Sequence, residues 1–265
     1  MLIFEDTGLL LYCLFVTVLA GAVLGSFLNC AAWRIAHHES FLKGRSHCTT
    51  CGHVLGPLDL IPVVSYLISG GKCRYCGDPI SIRYPMTELF FAGLSVICLL
   101  RCDLSLLFAR DMVLICCLFC LSLVDLECQI IPDGCLVISA AAWLIYAVVC
   151  PGESGILMTL GSGLLSAVIY GGGILVISLI MDKVLGRESL GGGDVKLFAV
   201  AGLYLGLIGS LFAMLLACLI GLVSAAFLRK GGRSAAFPFG PSIAAAIWLM
   251  LMFGGGLVSW YMGLF

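Results

Sequence analysis

Apolar residues run along this chain in blocks of helical-span length, separated by polar stretches of uneven size. The blocks cover 8–33, 86–101, 105–124, 134–150, 156–181, 195–208, 209–228 and 239–264. A helix needs about 20 mainly apolar residues to cross the hydrocarbon core of a bilayer, so the pattern predicts about eight transmembrane helices. The second, fourth and sixth blocks are short, and no polar stretch marks the division of sixth from seventh near Leu207–Ser210. One long polar segment, 35–84, separates the first block from the second. The expected fold is all-α, a polytopic integral membrane protein with a small cytosolic insert between helices 1 and 2. Three parts are expected: a first transmembrane helix over 1–34, the insert over 35–85, and a seven-helix core over 86–265.

Composition agrees with the lipid bilayer as solvent. The 265 residues are 62% hydrophobic and 11% charged, with mean hydropathy +1.15, where a soluble domain carries about 25% charge. A net charge of −1 argues against nucleic-acid binding, which needs a basic face. Glu5 and Asp6 stand where a cleavable signal peptide would be basic, and the first apolar run is too long for one. Of the 14 Lys and Arg, all but Arg101 and Arg110 fall in loops after odd-numbered spans. The positive-inside rule then places those loops in the cytosol and both termini outside. Asp125 and Asp194 fall on the same side of the membrane at similar depth.

Those two acids carry the candidate chemistry. Asp125 ends the apolar run Met112–Val124, and Asp194 opens a run to Leu228 whose only charge is Lys196. A carboxylate near the centre of a membrane helix costs about 2.5–3.5 kcal/mol on insertion scales, and such residues usually mark working sites. Gly191, Gly192 and Gly193 before Asp194 let backbone approach closely and permit dihedrals that other residues avoid, which suits an extended substrate lying against them. Ordinary duties account for the neighbouring acids. Asp133 follows Pro132 and reads as a helix N-cap; Glu88 reads as an acid at a helix start; Glu127 faces elsewhere. Two carboxylates at one site share a proton, so one can activate water while the other polarises a peptide carbonyl. That is peptide hydrolysis without a covalent intermediate. All four histidines lie between residues 37 and 53, which leaves serine and zinc hydrolase schemes in the membrane poorly supported. The competing readings are solvated acids at helix ends, or a proton relay in an ion-coupled transporter.

The insert holds Cys48-Thr49-Thr50-Cys51 and Cys73-Arg74-Tyr75-Cys76, followed by Gly52 and Gly77. Two Cys-x-x-Cys pairs with a short spacer predict a structural tetrathiolate Zn2+ site, since each gap lets both sulfurs reach one tetrahedral ion. Two disulfides or a redox pair are the alternatives, disfavoured in the cytosol. His47 and His53 read as surface residues, and docking of a cytosolic partner on the insert is a further reading. Gly21, Gly25 and Asn29, and separately Gly163, Ala167 and Gly171, recur at four-residue spacing and predict close helix seams. Phe237-Pro238-Phe239-Gly240-Pro241 breaks the chain before the last span, where irregular backbone needs a protein-lined cavity.

Together the Gly-x-Gly-Asp at 191–194, Asp125 with Ile131-Pro132-Asp133, and the paired Cys-x-x-Cys resemble the bacterial prepilin leader peptidases. Gly25-Ser26-Phe27-Leu28-Asn29, Ile61-Pro62-Val63-Val64-Ser65-Tyr66, Ile80-Ser81-Ile82-Arg83-Tyr84-Pro85 and Phe237–Pro241 match in the same order. Presenilin-like and signal-peptide peptidases share Gly-x-Gly-Asp, and signal-peptide peptidases lack the zinc insert. The resemblance implies an eight-helix aspartyl peptidase of the bacterial inner membrane with Asp125 and Asp194 as its catalytic pair. It implies prepilins and pseudopilins as substrates, cut after a glycine at the cytosolic face. It also implies methylation of the new N-terminal residue from S-adenosylmethionine by the N-terminal part, without assigning residues to that step. The proline that often stands within the first Cys-x-x-Cys is replaced here by Thr49-Thr50.

Overall fold

The computed structural model describes residues 6–40, 44–152, 155–186, 190–230 and 238–264. Glu5 and Phe237, named above, lie outside the described residues, as do some of the basic loop residues. The described chain is helical, without a β-strand, and forms two compact units, 1–108 and 109–265.

In the first unit, α1 (Thr7–Ala36) starts on Asp6, whose Oδ1 accepts the Gly8 N–H at 2.8 Å. Its long partner α3 (Arg83–Cys102) turns a buried stripe of Glu88, Ala92, Ser95 and Leu99 inward. The spacing of three and four residues puts these on one helix face. The predicted seam forms here. A Cβ on Gly21 would stand 2.9 Å from Ala92 Cα, and one on Gly25 would stand 3.0 Å from Phe91 Cβ. The Asn29 amide donates to the Thr87 hydroxyl, so the polar group on that face is satisfied within the seam. Between α1 and α3 lie the insert's turns, a 3-10 turn over Pro57–Leu60 and the five-residue α2 (Val64–Ile68).

The second unit holds α4 (Leu106–Cys128), α5 (Asp133–Val149), α6 (Ile156–Leu185), α7 (Gly192–Lys230) and α8 (Gly240–Met262). Helices α5, α6 and α8 all pack on α7. Small residues set the α6–α7 seam: a Cβ on Gly171 would meet Ala199 Cβ at 2.8 Å, and one on Gly202 would meet Ala167 Cα at 2.7 Å. Gly163, the third member of the stripe, lies under the Trp143 ring of α5. The helix of α6 continues past residue 181, where the apolar block ends, through Asp182 and Lys183, and closes at Gly186 in the left-handed conformation with φ 66°. Glycine lacks the Cβ that makes such a cap costly.

Helix α7 is 39 residues long, with Gly206 in a non-helical conformation (φ 66°, ψ −170°). At 1.5 Å per residue 39 residues make about 58 Å of helix, nearly twice the hydrocarbon core. The break falls just before the stretch Leu207–Ser210 where the division is expected, and it needs no polar loop. Among the described residues six helices are long and apolar enough to cross a membrane, with α5, at 17 residues, slightly shorter. Outward faces carry Leu157, Leu164, Leu165, Val168 and Val176 exposed. Water would penalise so continuous an apolar surface, and lipid does not. The chain is a multi-pass membrane protein.

Candidate active site

Asp125 and Asp194 reach the same end of the second unit by different routes. Asp125 lies in the last turn of α4 with 5% of its surface exposed. Its Oδ2 accepts the backbone N–H of Gly240 at 2.9 Å, 115 residues further along the chain. Gly240 is the first residue of α8, where backbone N–H groups lack partners within their own helix. No side chain fits there, since a Cβ would stand 2.8 Å from Asp125 Oδ2.

Asp194 is the third residue of α7 and is partly buried. Its carboxylate accepts the N–H of Gly191, the return arm of a capping box at a helix start. The two carboxylates are close enough for direct charge–charge interaction. None of Gly191, Gly192 and Gly193 has a positive φ, so the unusual dihedrals expected of them are not used. They provide room instead. A Cβ on Gly193 would stand 2.8 Å from Ile131 Cβ, one on Gly191 would touch Asp194 Oδ2 at 3.4 Å, and Gly192 faces open space. Ile131 thereby ties the loop after α4 to the start of α7.

Around this pair the other acids are accounted for, though not all as expected. Asp133 is not an N-cap: Pro132 holds that position, and the Asp133 carboxylate pairs with Lys196 Nζ at 2.7 Å on the surface. Lys196 therefore neutralises a neighbour. Asp111, which the sequence did not single out, is 2% exposed and ion-paired with Arg110 at 2.6 Å. The Arg110 guanidinium lies over the Tyr146 and Tyr204 rings at 4.6 and 5.1 Å. Asp111 stands about 21 Å from Asp125 along α4, at 1.5 Å per residue. Buried carboxylates paired with a cation are ordinary structure; Asp125 has a backbone N–H in place of a cation.

In the first unit the four expected cysteines converge. The sulfurs of Cys48, Cys51, Cys73 and Cys76 all lie within 4.8 Å of one another, with Cys48 Sγ 3.9 Å from Cys76 Sγ. A tetrahedron of sulfurs about 2.3 Å from a zinc ion has edges of about 3.8 Å, so the cluster fits a metal. The two turns are built alike. Gly52 N–H donates to Cys48 carbonyl and Gly77 N–H to Cys73 carbonyl, both at 2.9 Å, with the glycines at φ 72° and 78°. Cys48 and Cys73 N–H groups donate to the His53 and Asp78 carbonyls at 2.9 and 2.8 Å. The N–H groups of Cys51 and Thr50 draw the Cys48 thiol down to about 6, towards the thiolate that binds metal. His47 and His53 are exposed, and His53 stacks on Tyr75 with ring centroids 3.5 Å apart.

Two residues stand out that the sequence left to ordinary duties. Gly240 was legible only as part of a chain break. Glu88, in the second turn of α3, is 7% exposed and accepts the Val63 N–H at 2.7 Å.

Comparison with known proteins places both clusters in one context. The Bacterial Peptidase A24 N-terminal domain model matches residues 19–102, which include the cysteines. The Type IV leader peptidase family model matches residues 112–226, which include both aspartates. The prepilin leader peptidase/N-methyltransferase of Bacillus subtilis is 34% identical over 244 residues, covering 91% of this chain and 94% of that protein. The protein of the same name from Pseudomonas putida is 30% identical over 268 residues, covering 92% and 91%. That of Pseudomonas aeruginosa is 29% identical over 272 residues, covering 93% and 92%. No solved structure matches. With so near a relative matched over almost its whole length, the chain belongs to the type IV leader peptidase family.

Proposed function

We propose that this chain is a membrane aspartyl endopeptidase that removes the leader of type IV prepilins and pseudopilins, cutting after glycine at the cytosolic face. Asp125 and Asp194 are its catalytic pair. The observation that carries this is the meeting, at one end of a membrane-embedded unit, of two carboxylates held by backbone N–H groups rather than by cations. One proton between them lets one carboxylate take a proton from water while the other donates to the scissile carbonyl. Exposed Gly191 and Gly192 leave a bare strip of backbone beside Asp194 for an extended substrate, and Gly240 holds Asp125 in place. The relatives carry a peptidase name.

The chain also methylates the new N-terminal amine. S-adenosylmethionine, when bound, supplies the methyl group. Cys48, Cys51, Cys73 and Cys76 hold a structural Zn2+ that folds the insert, which is too short to bury a core of its own. The excess of basic residues in odd loops supports an orientation with the insert in the cytosol and both termini outside.

The test is Asp125→Asn and Asp194→Asn, each at unchanged membrane level, with a prepilin as substrate. Positioned acid–base groups contribute about 10²–10⁴-fold, so each variant is expected to cleave at least 100-fold more slowly. Retention of cleavage by both would remove the assignment.

A further inference from the structure

The short loop between α4 and α5, residues 129–132, leaves the turn that carries Asp125 and comes to rest on the helix that carries Asp194. Gln129 N–H donates to the Asp125 carbonyl at 3.0 Å, so the last turn of α4 runs straight into the loop. Gln129 then takes φ 57°, a left-handed conformation that residues other than glycine seldom adopt. Ile131 follows Asp125 by six residues and lies over Gly193. A Cβ on that glycine would stand 2.8 Å from Ile131 Cβ, 3.3 Å from Cγ1 and 3.5 Å from Cδ1. Two residues on, Asp133 reaches Lys196 Nζ at 2.7 Å. The loop and the residue after it therefore hold α7 one residue before Asp194 and two residues after it.

Those two holds act where the carboxylates' own bonds do not. Asp125 is bonded to α8 through the Gly240 N–H, and Asp194 to its own helix start through the Gly191 N–H. Neither bond joins α4 to α7, and the two acids act on each other through charge. Charge alone does not fix a distance, whereas close packing does. Of the two holds the ion pair is the weaker. Its side chains are 58% and 68% exposed, and exposed pairs contribute little. Ile131 is half-buried, with a branched and therefore stiff side chain seated on a glycine.

We propose that Ile131 is a positioning residue for leader cleavage, acting through Gly193 to set the separation of the two catalytic carboxylates. This rests on the reading of Asp125 and Asp194 as the catalytic pair. The glycine directly before Asp194 is then a seat for Ile131, and the backbone strip left to an extended substrate is Gly191 and Gly192. A proton shared between two carboxylates needs them at a fixed short range, and a misplacement of about 1 Å can cost about 100-fold in rate. Shortening Ile131 frees the start of α7 from the loop, and a methyl on Gly193 pushes it away. Either change lengthens the mean distance between the acids.

The test measures kcat, KM and the pH–rate profile of prepilin cleavage by the full chain in lipid nanodiscs. Wild type is compared with Ile131→Val, Ile131→Ala and Gly193→Ala. Ile131→Ala and Gly193→Ala are each expected to lower kcat about tenfold or more with KM nearly unchanged. Both should also narrow the pH–rate profile, because carboxylates held further apart share one proton less strongly. Of the neighbouring charges, Asp133 and Lys196 pair with each other and Glu127 is exposed, so the width reports on Asp125 and Asp194. Ile131→Val keeps the Cβ and one Cγ over the glycine and should keep most of the rate and the width. Ile131→Ala at the wild-type kcat, or a lowered rate on a profile of unchanged width, would overturn the proposal, since loss of folded enzyme scales the profile without reshaping it. Should Ile131→Ala yield no protein, Gly193→Ala decides by the same criterion. Cleavage retained by both Asp125→Asn and Asp194→Asn would instead remove the catalytic pair itself.

Discussion

Asp111 and Asp125 are both buried in α4, yet they differ in what satisfies them. Arg110 is adjacent in sequence and neutralises Asp111; Asp125 depends on a main-chain N–H from another helix. From sequence, an acid next to a base is already half explained, which is why Asp125 could be singled out. Its partner could not, because a glycine announces neither its N–H nor its neighbours. Gly240 carries a prediction at this scale. The Gly240→Ala variant is expected to cleave prepilin at least tenfold more slowly at unchanged membrane level, since the added methyl must displace the Asp125 carboxylate. A time course at saturating substrate checks it, and wild-type rates would show that the contact does not matter. Asp133 is the reverse case. Its sequence neighbourhood suggested a cap, and a lysine 63 residues away claimed it; long-range ion pairs leave no local trace.

The seams between helices were legible because close packing restricts residue size at fixed spacing. Gly21, Gly25, Gly163, Ala167 and Gly171 all sit where helices touch. Two glycines of the second unit separate packing from mere helix composition. A Cβ on Gly202 would meet the Ala167 backbone at 2.7 Å, whereas Gly173 faces open space. Overpacking costs about 1–3 kcal/mol, while exposed sites change stability by less than about 0.5 kcal/mol. Gly202→Val should therefore lower the apparent Tm in detergent by several degrees, and Gly173→Val should leave it in place. In the insert, the paired Cys-x-x-Cys motif specified the cluster because two turns of fixed length leave the sulfurs little freedom. Cys73 is the most buried of the four. Cys73→Ser should release the metal and expose the insert to protease, read as zinc per chain; unchanged zinc content would refute a structural site. The φ of 60° at Val63 was invisible, since nothing in Ile61-Pro62-Val63-Val64 requires a positive φ.

Over the whole chain, hydropathy set the helices to within a few residues, because lipid demands long apolar runs and tolerates little else. It was weakest at the middle of α7, where a single glycine does the work of a loop. Gly206 decides a parity. With two spans meeting there the count is even, and both termini share a side; with one span the C-terminus would be cytosolic. Alkaline phosphatase fused after Leu264 is expected to be active, and the same reporter fused after Gly77 inactive. Activity at neither position would mean that α7 crosses once.

The glycine N–H groups that hold the two acids have a practical consequence for mapping this enzyme. Alanine scanning deletes side chains and leaves main-chain donors intact, so a survey of the residues around Asp125 will find few partners to remove. Swapping the amide at 240 for an ester, which deletes the donor and keeps the shape, would expose an interaction to which side-chain mutagenesis is blind.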